Sequence, residues 1–503
     1  MPRLEEIDDF DTLKLTASLL EKTVISQQKT IAKLEAEIAR LHGADHPQLE
    51  IKILEEQLAQ LRRQVFAPSS EKRPGPRKDE DPERSPQPGH GPRKQPRLPI
   101  EVVTHELGEE ERHCPVCGGE LAEMKDQCEE SEEITVVEAS YTIVTHRRKK
   151  YRCRCNAAVV TAPGPAKLIP GGRYSPELAV HVAVAKYLDH LPLDRQARAM
   201  GRRGLVVGAQ TLWDQLFALY RHLEPCYEAL CSKVLTAEVG FTDETRWPLV
   251  DQDGRKRYWA WCLSSEDAVA YWIKDARSKD AGGEVLSAFR GVLMCDGYAV
   301  YKSLARDGPK LSLAHCWAHV RRKFVEAEGA SELAAVAIGL IGKLYAVERE
   351  APLAARDADP EEKERALERR HALRQERSRP IVEELKAWAW ATAQGVLPRS
   401  GIGKAIAYML ELWPGLTVFL DDPRVPLDNN QAERVLRGLV VGRKNHYGSR
   451  SKRGVEVAAL FYTLLESAKL AGVDPHAYLL EATKRAIAEP GTVTLPDDAF
   501  CVE

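Results

Sequence analysis

The sequence predicts a multidomain α/β protein, on three observations. Its 503 residues exceed what one hydrophobic core holds, so two to four domains are expected. Apolar residues near the N-terminus recur at spacings of three and four, as in a coiled coil. From about residue 234 the pattern changes to short β-branched and aromatic runs separated by turn residues, and later returns to helical spacing.

Composition excludes little. The hydrophobic share is 44% and the formal net charge only −3, so total charge does not announce a nucleic-acid partner. Local charge does: 146–154 (HRRKKYRCR), 321–323 (RRK) and 442–453 (GRKNHYGSRSKR) are basic islands. No apolar run is long enough to span a bilayer, and the acidic, polar start does not read as a signal peptide. The expectation is a cytoplasmic, nucleoid-associated protein whose eleven cysteines stay reduced.

Residues 1–66 are read as the coiled coil. Ala17, Leu20, Val24, Gln27, Ile31, Leu34, Ile38 and Leu41 form the seam, with polar Gln27 as a register setter. Gly43 and Pro47 interrupt it, and Ile51, Leu54, Leu58, Leu61 and Val65 resume it. The alternative is an amphipathic helix packed on its own domain. Residues 67–100 are rich in Pro, Gly and charge, too polar to bury a core, and read as a disordered linker.

Residues 101–165 carry Cys114-Pro-Val-Cys117 and, after a strand-rich stretch at 134–148, Cys153-Arg-Cys155. Two close thiolate pairs joined by a hairpin suit tetrahedral zinc, and four thiolates leave no open position, so the role is structural. Cys128 is a substitute ligand, and unligated reduced thiols are the alternative.

Residues 166–233 read as a helical, helix-turn-helix-like DNA-binding unit: a helix from Pro176, a short one at Leu193–Met200, glycines 201 and 204, and a third helix at Thr211–Leu223. Arg195, Arg198, Arg202, Arg203 and Gln210 would face phosphates or base edges. An ordinary helical packing unit is the alternative.

The core divides into 234–328, a helical insertion at 329–400, and a second part at 401–475, followed by a C-terminal tail at 476–503. Strands are expected in VLTAEVGFTD (234–243), RYWAWCLS (257–264), AVAYWI (268–273) and GVLMCD (291–296). Helices are expected at about 317–328, from 430, and at about 454–471.

Three carboxylates stand out in this core. Asp243 and Asp296 end apolar strand-like runs, and Glu433 lies near a helix start. Two Asp and one Glu brought together suit divalent metal for phosphodiester chemistry. Glu244 follows Asp243 directly, but adjacent strand residues point to opposite faces, so only Asp243 is assigned to the site. Each residue has a plainer reading. The aspartates could sit in turns. Asn430-Gln-Ala-Glu433 could be a capping box, or Glu433 could pair with Arg437. Asp428 is a rival ligand.

Arg434, Arg437, Arg443, Lys444 and Asn445, with His446 and Tyr447 beyond, interleave cations and an aromatic beside Glu433, as DNA-backbone binding would use. A solvated basic face is the alternative. His315 and His319 are spaced to share a helix face, but no further ligand sits at metal spacing. Arg321, Arg322 and Lys323 make that helix DNA-facing instead, with Trp317 and Phe324 in the core.

FAPSSEK, CPVCGGEL, TDETRW, CDGYAVYKSL, AHCWAHVRRKF, RQERSRPIVEELKAW and DNNQAERVLRGLVVGRKN run in order along the chain from about residue 13 to 480. In these segments the chain resembles the large subunit of the DDE transposases of the insertion sequence 66 family. The resemblance implies a ribonuclease-H-like catalytic core with a helical insertion, its acidic triad at Asp243, Asp296 and Glu433, and a zinc-binding domain at Cys114, Cys117, Cys153 and Cys155. Two departures stand out. The second Cys pair is one residue shorter than the family's pattern, and FAPSSEK replaces a more basic FGRSSEK-like stretch.

The expected function is Mg-dependent cleavage at the ends of a mobile element and strand transfer into target DNA, using two Mg²⁺ (or Mn²⁺) ions and a structural Zn²⁺. Its partners would be terminal inverted repeats, target DNA and a second copy joined through the coiled coil. The resemblance also implies small accessory proteins of the same element. The rival readings are a catalytically inactive zinc and helix-turn-helix regulator, and a ribonuclease-H-like nuclease without joining activity.

Overall fold

The computed structural model describes residues 117, 140–152, 159–251, 254–307, 311–329 and 331–498. The expected coiled coil, the linker, and Cys114, Cys128, Cys153 and Cys155 lie outside the described residues. Packing divides the chain into 68–140 and the remainder. Of the first unit, Cys117 and Ser140 are described, both exposed.

In the larger unit, β1 (Lys150–Arg152) pairs antiparallel with β2 (Val159–Thr161). The ribbon brackets residues 153–158. Strand was expected over 134–148, but the described part, 140–149, is irregular, and pairing begins only at Lys150.

Three helices follow. Ser175 caps α1 (Pro176–Tyr187) by accepting the Leu178 N–H, and Pro176 fits the first turn, where no N–H is needed. After α2 (Leu193–Arg202), Gly204 adopts φ +87° in the turn. The third helix, α3 (Ala209–Leu235), runs twelve residues beyond its expected end at Leu223 and carries Pro225 inside. Its buried stripe of Leu212, Leu216, Leu219, Leu223, Cys226, Leu230 and Val234 continues at helical spacing, and that continuity sustains it. The helical unit shares one apolar core with the strands that follow.

The main sheet has five strands: β3 (Val239–Asp251), β4 (Gly254–Ser264), β5 (Val269–Lys274), β6 (Val292–Cys295) and β7 (Ser312–His315), in the order β5-β4-β3-β6-β7. The first three form an antiparallel meander, and β6 and β7 run parallel to β3. Gly240 sits where a Cβ would come within 2.8–2.9 Å of Phe289 and Leu263, so glycine lets β3 lie against that apolar layer. Asp243 was expected at a strand end. The strand instead continues through Asp251, paired along its length with β4, and Asp243 lies mid-strand. Strand β7 was not expected.

Helices α4 (Lys279–Leu286) and α5 (Ala299–Asp307) connect to β6 and β7, and α6 (Trp317–Glu328) follows at the bounds the sequence predicts. The segment expected as an insertion holds α7 (Leu333–Glu350), α8 (Pro360–Leu373), a π-helical turn at Arg374–Ser378 and α9 (Arg379–Gly395), and α10 (Gly401–Glu411) follows it. Short helices α11 (Trp413–Leu416) and α12 (Val418–Asp421) lead to α13 (Asn430–His446), α14 (Lys452–Leu470) and α15 (Pro475–Ala488). The expected tail is therefore helical through Ala488. Tyr478 donates to the Thr494 carbonyl at 3.0 Å, which ties the following segment back onto α15.

Candidate active site

Strand register sets the first two carboxylates side by side. Val239, Gly240 and Phe241 pair with Val292, Leu293 and Met294. Two residues further along each chain come Asp243 and Asp296, on neighbours that parallel strands hold about 4.8 Å apart. The Asp296 carboxylate accepts the Tyr298 N–H at 2.9 Å, and Asp243 accepts the Glu244 N–H at 2.8 Å.

The third carboxylate arrives on α13. Asn429, fully buried, donates its side-chain amide to the Thr242 carbonyl at 2.8 Å and its backbone N–H to Cys316 Sγ at 3.2 Å. The Trp317 N–H donates to the Leu427 carbonyl at 2.8 Å. The start of α13 is thus fastened both to β3, one residue before Asp243, and to the start of α6. Glu433 follows one turn into the helix, its Oε1 3.6 Å from His319 Nε2. The capping-box reading does not hold, because Asn429 rather than Asn430 is the cap residue and its side chain makes no cap bond. Glu433 pairs with His319 rather than with Arg437.

The electrostatics join the three. Burial foremost, then the negative charges of Glu244, Asp296 and Glu433, push the Asp243 carboxyl up to about 7, against the stabilising Glu244 N–H. Among the described residues, however, no three or more His, Cys, Asp or Glu lie close enough to hold one metal ion. The site is a set of mutually repelling carboxylates within electrostatic reach, not a formed coordination shell.

Glu244 turns to the opposite face, as strand alternation requires. Its buried carboxylate accepts hydrogen bonds from Arg277 Nε at 2.6 Å, from a second Arg277 nitrogen, and from the Tyr301 hydroxyl. Burial raises its carboxyl, and these bonds oppose the rise. Helix α10 reaches the site as well. A Cβ at Gly297, just after Asp296, would lie 2.9 Å from the Tyr408 ring. Burial first, then Asp296, push the Tyr408 hydroxyl up to about 12.

The expected DNA-facing residues separate into two groups. Arg321, Arg322 and Lys323 on α6 are exposed, as are Arg434, Arg437, Lys444 and Asn445 on α13, and Arg195, Arg198, Arg202, Arg203 and Gln210 around α2 and the start of α3. Lys323 pairs with Glu326 at 3.2 Å. Arg443 differs: its guanidinium donates to Thr245 Oγ1 at 2.8 Å and to the Arg246 carbonyl, bracing α13 against β3. His446 is packed among Tyr187, Trp247 and Tyr462, and burial lowers its imidazole to about 3, while Tyr447 is 77% exposed. His315 and His319 do not share a helix face, because His315 ends β7 and α6 starts at Trp317.

The sequence reading missed Asn429, the pairing of His319 with Glu433, and Arg277. The first two lie inside DNNQAER and AHCWAHVRRKF, where runs of polar residues beside apolar ones were the available signal.

Residues 171–457 match the family model described as "Transposase IS66 family". The chain belongs to the IS66 transposase family. Residues 111–156, which include all four candidate thiolates, match the model described as "zinc-finger binding domain of transposase IS66". Relatives include three proteins of Sinorhizobium fredii (strain NBRC 101917 / NGR234), each titled as an uncharacterized protein. The protein y4jD is 34% identical over 407 residues, covering 76% of this chain and 76% of the relative. The protein y4qI is 29% identical over 532 aligned positions, 96% of this chain and 95% of the relative. The protein y4hP is 28% identical over 407 positions. Among the described residues of this IS66-family chain, no helix is long and apolar enough to cross a membrane.

Proposed function

We propose that this IS66-family protein cleaves DNA at the ends of its own element and joins them to target DNA, using Asp243, Asp296 and Glu433. The observation that carries the proposal is geometric: the β3–β6 register puts Asp243 and Asp296 on neighbouring strands, and the Asn429 amide fastens the start of the Glu433 helix to Thr242, next to Asp243. Carboxylates gathered against their mutual repulsion are a donor set suited to a hard divalent cation. The strand order β5-β4-β3-β6-β7, with an antiparallel meander and two parallel strands, supports a ribonuclease-H-like core.

Asp243 and Asp296 are the residues that would hold Mg²⁺ (or Mn²⁺), with Glu433 completing the set. Such ions, when bound in pairs, neutralise charge on the transferring phosphate and make a water or a 3′-hydroxyl nucleophilic. Glu433 has a 37% exposed side chain and Asp296 is half-buried, so both have room to change rotamer toward Asp243. His319 Nε2 lies 3.6 Å from the Glu433 carboxylate, and Asn429 fixes its helix against β3. The exposed cations of α6 and α13 would hold the DNA backbone, with the helices around α2 gripping the element's end. Cys114, Cys117, Cys153 and Cys155 would hold one structural zinc, and the N-terminal seam would pair two copies so that two ends are handled together.

The test is a strand-transfer assay with the element's own terminal repeats and Mg²⁺. Asp243→Asn, Asp296→Asn and Glu433→Gln should each abolish cleavage and joining while leaving DNA binding measurable. Near-wild-type joining by any one removes that residue from the mechanism. Cleavage without joining by the wild type would make the protein a nuclease.

A further inference from the structure

The β3–β4 hairpin carries a second feature, on the sheet face away from Asp243. Arg246 stands opposite Trp259 in the hairpin register. Its guanidinium carbon lies 5.6 Å from the Trp259 ring centroid. The Arg277 guanidinium carbon lies 5.0 Å from the same ring and 3.9 Å from that of Tyr298. Cation, aromatic, cation and aromatic therefore alternate from the hairpin toward Asp296, whose carboxylate accepts the Tyr298 N–H. The Tyr298 hydroxyl donates to the Arg277 carbonyl at 2.8 Å, which fixes the inner end of the ladder.

The two cations are not equivalent. Arg277 is neutralised by buried Glu244. Arg246 is exposed and, among the described residues, has no carboxylate partner. The outer rung is thus an uncompensated guanidinium backed by an indole, three residues along β3 from the carboxylate cluster. A guanidinium offers both a positive charge and a flat face on which a ring can stack. The ligand that matches both is a nucleobase with its phosphate. A base inside a duplex has both faces covered by its neighbours, so only an unpaired base fits.

We propose that this ladder binds an unpaired base of a single DNA strand, the base extending the stack on Arg246 and its phosphate meeting the guanidinium charge. DNA as the ligand rests on the function proposed above, but the stacking site is tested separately from it. The full-length protein, in chelator and without divalent ions, is titrated against fluorescein-labelled oligothymidine and against a duplex of equal length, read by anisotropy. Arg246→Ala and Arg246→Lys should both weaken single-strand binding roughly tenfold, since lysine keeps the charge and loses the plane, and should change duplex binding far less. Arg246 is exposed, so neither variant threatens the fold. Wild-type affinity in Arg246→Lys, an equal loss on duplex, or no single-strand binding by the wild type overturns the proposal. Because no metal is present, failure of the joining assay leaves this result intact, and the reverse also holds.

Discussion

A buried asparagine, Asn429, donates its amide to the Thr242 carbonyl and so places the turn that carries Glu433 one residue from Asp243. Asn429→Ala should cost about 1–3 kcal/mol in urea denaturation, the usual result of stranding a buried acceptor. Joining should fall further than that loss explains, because the Glu433 helix loses its tether. His446 makes a pH prediction. Its imidazole is buried among rings and held neutral, lowered to about 3 from an ordinary 6.5. The unfolded chain binds that proton at a higher pH than the folded one. Stability should therefore be level above about 6.5 and fall as pH drops toward 3, by a few kcal/mol at most. Thermal melts of His446→Phe against wild type between pH 7 and 4 should show a flatter profile in the variant. At this scale, the sequence points to Asp243, Asp296 and Glu433 because apolar runs or a helix start precede each. Asn429 and His319 were not legible. Both are polar residues whose place depends on partners more than a hundred positions away, which local patterning does not encode.

Between elements, two devices hold the site's scaffold. Strand β5 is a sheet edge, and α14 closes it: Ser467 accepts the Val269 N–H at 3.0 Å and donates to the Val269 carbonyl at 2.9 Å, while Thr463 accepts the Tyr271 N–H at 3.0 Å. Buried hydroxyls in an apolar helix are thus ladder partners that protect an edge. The second device is Arg374, fully buried in the π-helical turn. It meets Glu348 through two nitrogens at 2.8 and 2.9 Å and donates to the carbonyls of Phe419, Asp422 and Val425. It ties the insertion to the segment that leads into α13. Arg374→Ala should destabilise by about 3 kcal/mol in chemical denaturation, since it strands three carbonyls and leaves Glu348 to Arg370 alone. The helices beginning at Trp317 and Asn430 were legible from apolar spacing and turn residues. The four-residue β7 was too short for its pattern to register. The length of β3 was hidden because Glu244 and Pro248 weaken a strand signal that pairing with β4 overrides.

At the scale of the molecule, the helical unit that reads as separate in the sequence shares its core with the sheet, because the apolar stripe of α3 extends along its whole length. Movement of the α2 arginines relative to the carboxylates is therefore limited by a packed interior rather than permitted by a linker. We propose that Asp243, Asp296 and Glu433 close on shared divalent ions once DNA is bound. A crystal of the protein with an element end and Mn²⁺, measured at the manganese absorption edge, tests it most directly. Anomalous peaks between the three side chains, lost in Asp243→Asn, are the predicted result. Manganese bound elsewhere, with the three carboxylates still apart on DNA, would contradict it.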